Sequence, residues 1–159
     1  MLLQLCKTIS LIGCLARGAL VAASLSTAAP ALELITEQEA ALPDALGANF
    51  QLGFRGVTRG PKVLLISPAP DAGAVGSPLD LLLRFEVHSS ALIELQSVTM
   101  TYLKKPAINL TPRISDLIKE SGINVYSAQV PPGTHYIKIE VKDNVGRLGS
   151  VTFALIVAK

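Results

Sequence analysis

The side chains best suited to proton transfer or metal binding near neutral pH are the two histidines, His88 and His135. His88 closes the run "LRFEVH" and His135 follows the corner "PGT", so both are expected at exposed strand ends. Neither has a carboxylate cluster near it in the sequence, and two imidazoles alone make a poor coordination set, so no metal and no cofactor are predicted. Serine, histidine and aspartate all occur, but no G-x-S-x-G elbow or other local signature links them for nucleophilic catalysis. The acidic residues mostly alternate with apolar ones, which is the pattern of solvated strand faces and not of paired glycosidase carboxylates. No glycine-rich loop precedes a helix in a way that would cradle phosphate. No catalytic residue is assigned, and the chain is read as a non-enzyme.

Binding is easier to place. Tyr102, Lys104, Lys105 and Arg113 form the densest local group able to grip a partner, and their charge calls for an acidic one, either another envelope protein or an anionic glycan. The competing use of Arg113 is an ion pair with Asp116 at helical spacing. Asn109 to Thr111 spells a glycosylation sequon, but Pro112 follows at once, and a helix cap at Thr111 explains the same letters.

Composition narrows the partners further. The 159 residues open on "MLLQLCKTISLIGCLARGALVAASLSTAAPALE", with Lys7 and Arg17, the apolar run Gly18 to Leu25, and small residues at Ala29 and Ala31. That is the layout of a secretory signal peptide, residues 1–31, cut after Ala31. The expected location is periplasmic or secreted, with "LIGC" at Leu11 to Cys14 as the lipid-anchored alternative. Cleavage removes Cys6, Cys14, Lys7 and Arg17, so the 14 basic residues become 12 against 12 acidic ones. The mature chain is then neutral, without cysteine and without a transmembrane span. Charge balance removes the footprint of a nucleic-acid binder, and an aromatic content of 4% leaves few platforms for stacking bases or sugars.

The elements that must position these residues alternate strand and turn. Residues 32–60 read as a short helix, capped by Thr36 with Glu39 and limited by Pro43, followed by the glycine-rich linker "QLGFRGVTRGP". Residues 61–159 read as one β domain. "KVLLIS" is a short strand, and "LDLLLRFEV" puts Leu79, Leu81, Leu83, Phe85 and Val87 on one face. "SVTMTYL" is another strand, and "KKPAINLTPRISDLIKESG" holds a short helix from the Thr111 cap to Gly122. After "VYSAQV", "HYIKIEVKD" turns Ile137, Ile139 and Val141 inward, "DNVG" makes a hairpin turn, and Val151, Phe153, Leu155 and Val157 share one side of the last strand.

"PPGTHYIKIEVKDNVGRLGSVTFALIV" resembles the last two strands of fibronectin-type-III-like and bacterial immunoglobulin-like domains, and "SPAPDAGAVGSPLDLLLRF" resembles their opening. The resemblance implies an all-β, immunoglobulin-like antiparallel β-sandwich with a short inserted helix and a short N-terminal helix. It also implies a tyrosine corner at Tyr136, with the hydroxyl tied to upstream backbone and the ring against the core. A second resemblance is to small periplasmic copper carriers, which open on a similar Ser-Pro-Ala turn but depend on a histidine near the mature N-terminus that this chain lacks. The function expected is an exported binding or cell-envelope assembly module. The alternatives are a carbohydrate-binding accessory module and a copper-carrier-like protein without the usual ligands.

Overall fold

Period-two alternation becomes strand wherever the sequence carries it. The computed structural model describes residues 31–45, 60–88 and 90–159, so the leader, the lipobox-like "LIGC" and the glycine-rich stretch through residue 59 lie outside the described residues. The strands are β1 (Lys62–Ser67), β2 (Leu79–Glu86), β3 (Ile93–Tyr102), β4 (Ile108–Asn109), β5 (Ile118–Lys119), β6 (Gly122–Ala128), β7 (Gly133–Asp143) and β8 (Leu148–Val157). They form two four-stranded antiparallel sheets, ordered β1-β2-β6-β5 and β4-β3-β7-β8. The inner faces share one core, with Leu81, Leu83, Ile123 and Val125 from the first sheet and Met100, Tyr102, Ile137, Ile139 and Leu155 from the second. The expected all-β architecture with short helices is therefore the observed one. Among the described residues no helix is long and apolar enough to cross a membrane.

The closing hairpin shows how local chemistry fixes register. Asp143 Oδ1 accepts the backbone N–H groups of Val145 (3.1 Å) and Arg147 (2.8 Å), while Oδ2 accepts Arg147 Nε at 2.7 Å. Burial of Asp143 works to raise its pKa, but these donors outweigh burial and hold it below the usual carboxylate range. Gly146 supplies the left-handed position at φ +80°. From there β7 and β8 pair from Lys142↔Leu148 to Gly133↔Val157, and Ile137, Ile139, Val141, Val151, Phe153, Leu155 and Val157 are all buried as expected.

Three expectations change. The inserted helix is shorter: α2 covers Thr111–Ile114, a 3₁₀ turn covers Ser115–Leu117, and the chain then returns to strand in β5. Thr111 is not the cap, because Leu110 holds that position and the Thr111 hydroxyl accepts the N–H of Met100 on β3 at 2.9 Å. That bond ties the insertion to the sheet and uses the oxygen a cap would need. Val87, placed inward by alternation, is 37% exposed, because β2 ends at Glu86 and the phase ends with it.

The N-terminal helix α1 (Glu37–Ala40) carries the expected capping box. Glu39 N–H donates to Thr36 Oγ1 (3.2 Å), and Thr36 N–H donates to Glu39 Oε2 (3.0 Å). Its segment packs on the two sheets, and Leu34 and Ile35 are fully buried in the shared core.

Candidate functional site

The residues predicted to grip a partner gather where the N-terminal segment meets the end of β3. Tyr102 ends β3 with its side chain inward and fully buried, because Val98, Met100 and Tyr102 share the inward phase of that strand. Its hydroxyl donates to Nδ1 of His135 at 2.8 Å. His135 in turn donates Nε2–H to the carbonyl of Pro131, also at 2.8 Å. A carbonyl only accepts, so Nε2 carries a proton, and in the neutral ring that burial favours the Nδ1 lone pair faces Tyr102. Burial lowers the His135 pKa, and the nearby Lys104 charge adds to that. Burial likewise raises that of Tyr102.

Lys104 is also buried. Its ammonium sits 2.7 Å from Asp44, donates to the carbonyl of Ala40 at 3.0 Å, and lies 5.3 Å from the Tyr102 ring centroid. Burial alone would lower its pKa, but the Asp44 carboxylate and Tyr102 more than offset that and the pKa is raised. Arg113 pairs with Glu39 and not with Asp116. Its two terminal nitrogens reach the two carboxylate oxygens at 2.8 and 2.6 Å, and Nη1 also donates to the carbonyl of Leu34 at 2.7 Å. The reason is geometric: a planar guanidinium satisfies a carboxylate in a fork, and Glu39 presents both oxygens. With Arg113 donating in this way, the Glu39 pKa falls from 4.5 to about 2. Lys105 alone of the four is exposed.

The structure therefore brings Tyr102, Lys104 and Arg113 together around one occupant, the chain's own residues 32–45. Backbone bonds hold this strap at both ends, with Leu34 N–H to Gln129 and Gln129 N–H to Leu32 at one end, and Ala45 N–H to Leu103 and Lys105 N–H to Pro43 at the other. An open cleft beside it is lined by Glu33, Ile35, Glu37, Ser77, Gln129 and Val130. Among the described residues no buried side-chain nitrogen or oxygen lacks a hydrogen-bond partner, so the polar groups beneath the strap are already used.

The two histidines part company. His88 is exposed just beyond β2, whereas His135 is 2% exposed at the start of β7, which corrects the expectation of two exposed strand ends. The tyrosine-corner expectation at Tyr136 is corrected too. Tyr136 points away from the core and is half-buried, while its neighbour His135 takes the inward place and makes the bond to backbone four residues upstream. Strand phase carries the signal: Ile137, Ile139 and Val141 face inward, so two residues back His135 must as well. We expect Tyr102→Phe to cost about 1–3 kcal/mol, because it leaves buried Nδ1 of His135 without a donor. Tyr136→Phe should stay within about 0.5 kcal/mol of wild type, as an outward position does. Denaturant titration of the two variants checks both.

Acid should weaken the fold in two stages. His135 binds a proton less readily folded than unfolded, so its contribution is complete above its ordinary pKa of 6.5 and is lost as pH falls below it. Glu39 follows, its contribution complete above 4.5 and lost as pH falls toward about 2. Asp143, also held below the usual carboxylate range, loses its contribution over the same acid region. Stability measured against pH should therefore show both declines, and Glu39→Gln should shrink the second without abolishing it.

Sequence reasoning missed a second group at the other end of the molecule. Of the eight large apolar residues exposed among the described residues, five (Val87, Leu92, Leu95, Val145 and Leu148) belong to the β2–β3 connection, the start of β3 and the β7–β8 hairpin. The N–H of Leu92 donates to the Asn144 side-chain Oδ1 and the N–H of Asn144 donates to the Leu92 carbonyl, and Lys142 stands opposite both Glu94 and Leu148, so these segments form one pole. Leu92 is 59% exposed and Val145 67%. The readable signal was Val145 itself, an apolar residue between Asn144 and Gly146 at a turn tip where polar residues are the rule. Among the described residues no group of three or more His, Cys, Asp and Glu side chains is arranged to hold a metal ion. Comparison with protein-family models, with curated proteins and with solved structures finds no match to this chain.

Proposed function

We propose that the chain is an exported, non-enzymatic binding module with an immunoglobulin-like sandwich, which recognises another envelope protein through the apolar pole formed by Leu92, Val145 and their neighbours. The observation that carries this reading is the gathering of exposed apolar side chains on adjoining segments at that one pole, since single ones scattered over a surface need no explanation. The strand order supports the immunoglobulin-like part. Lettered in chain order, with β4 as C′ and β5 as D, the sheets read A-B-E-D and C′-C-F-G, the arrangement of immunoglobulin sandwiches. In that lettering the pole consists of the B–C and F–G loops, which a rigid sandwich holds side by side.

Replacing Leu92 and Val145 together by Ser should leave stability within about 0.5 kcal/mol, because both side chains face solvent. Capture of the partner from an envelope extract should fall at least tenfold, which is about 1.4 kcal/mol and modest for two apolar anchors near the centre of an interface. Undiminished capture by this variant would count against the pole.

A further inference from the structure

We infer that Asn144 is a positioning residue for recognition at the apolar pole: its side chain latches the β2–β3 connection to the β7–β8 turn, so that Leu92 and Val145 meet a partner at one fixed spacing. This rests on the proposed use of that pole and assigns a residue to it. The β3–β7 ladder ends at Ile93↔Asp143, and the next step outward brings Leu92 opposite Asn144. In an antiparallel ladder a hydrogen-bonded pair exchanges two backbone bonds. Here one is backbone, from Asn144 N–H to the Leu92 carbonyl at 2.9 Å, and the other is supplied by the side chain, from Leu92 N–H to Asn144 Oδ1 at 3.1 Å. The chain can therefore leave the ladder for its turn while the two connections stay joined.

The surroundings are fastened in the same way. Asp143 Oδ1 holds the N–H of Val145. On β3 the Ser97 hydroxyl accepts the N–H of Lys142 at 2.8 Å and donates to the Glu94 carbonyl at 2.6 Å. Ser97 thereby bridges the break in the ladder between Glu94 and Thr99, where Leu95 is exposed. Polar side chains thus take over backbone bonding around the apolar ones. Two tips free to move separately would lose that freedom on binding, which weakens association, whereas a latched pair has lost it beforehand. The Asn144 bond is exposed, so water replaces it when it is removed and it adds little to stability. Its effect lies in placement.

Variants of the full chain test this, each with a photoreactive group at position 148, where Leu148 is exposed on the same pole. The functional probe is the envelope protein crosslinked from that position in the otherwise wild-type chain. The structural probe is hydrogen exchange at the Leu92 amide, which needs no partner. Asn144→Ala removes the oxygen, Asn144→Gln keeps the amide but moves it outward, and Asn144→Asp keeps an oxygen in place. All should melt with wild type. The expected result is that the Ala and Gln variants lose protection at Leu92 and crosslink about three- to tenfold less, the range one hydrogen bond allows, while the Asp variant keeps both. Unchanged protection in Asn144→Ala, or full crosslinking from Asn144→Ala or Asn144→Gln, overturns the latch and leaves recognition at the pole standing. Loss of crosslinking in Asn144→Asp with Leu92 still protected would make Asn144 a contact and overturn its positioning role. No crosslinked protein from the wild-type pole overturns the underlying reading and this inference with it.

Discussion

Gly122→Ala is expected to unfold the domain or to destabilise it by more than about 4 kcal/mol, beyond the range of ordinary point substitutions. Gly122 opens β6 directly opposite Arg84 of the central strand β2. Its φ is +146°, where L side chains are strained, and a Cβ there would stand 1.9 Å from the carbonyl oxygen of Leu83. The obstacle is backbone, so no rotamer change relieves it, and moving β2 would disturb Leu81 and Leu83 in the middle of the core. Gly73→Ala makes a fair control, since it also has positive φ but its Cβ would meet nothing within 4 Å. It should retain only the conformational cost, about 1 kcal/mol. Urea melts of the two variants separate the steric part from the conformational one.

The second large effect concerns the strap. Leu34→Ala should cost about 2–5 kcal/mol, the range for a fully buried leucine that leaves a cavity its surroundings cannot fill. A helix merely resting on a finished domain would not show this, because truncating an exposed side chain changes stability by only a few tenths. The loss should appear as a lower denaturant midpoint with an unchanged slope, since strap and sheets share one core and unfold together. A first transition that leaves a folded sandwich behind would mean that the strap is an accessory.

These two effects also mark where the sequence was legible. The β7–β8 hairpin was readable because period-two alternation, a buried aspartate at the turn and Gly146 all specify the same register. The capping box was readable because Thr36 and Glu39 lie three residues apart and act locally. The partnership of Arg113 with Glu39 was not, because it joins residues 74 apart in sequence and competes with a nearer acid, Asp116. Lys104 was misjudged for the same reason: its partners Ala40 and Asp44 arrive from the strap. A basic cluster read locally looks like a surface awaiting a partner, whereas here three of its four residues already have one within the chain. His135 was misplaced for a different reason. It was read as an exposed strand end because it follows the PGT corner, whereas β7 already begins at Gly133 and its phase carries His135 inward with Ile137, Ile139 and Val141.

The pole was the least legible feature, since it is assembled from two connections more than fifty residues apart that only the fold brings together. It is also where the functional reading stands or falls. The most direct measurement is site-specific photocrosslinking in an envelope extract, with the reactive group placed at Val145 in one protein and at Lys105 in another. The two positions lie at opposite ends of the molecule and both are exposed. The expected result is one discrete crosslinked partner from position 145, lost when Leu92 is replaced by Ser, and none from position 105. A partner that crosslinks from position 105 and not from 145, or no discrete product from position 145, would contradict recognition at the apolar pole.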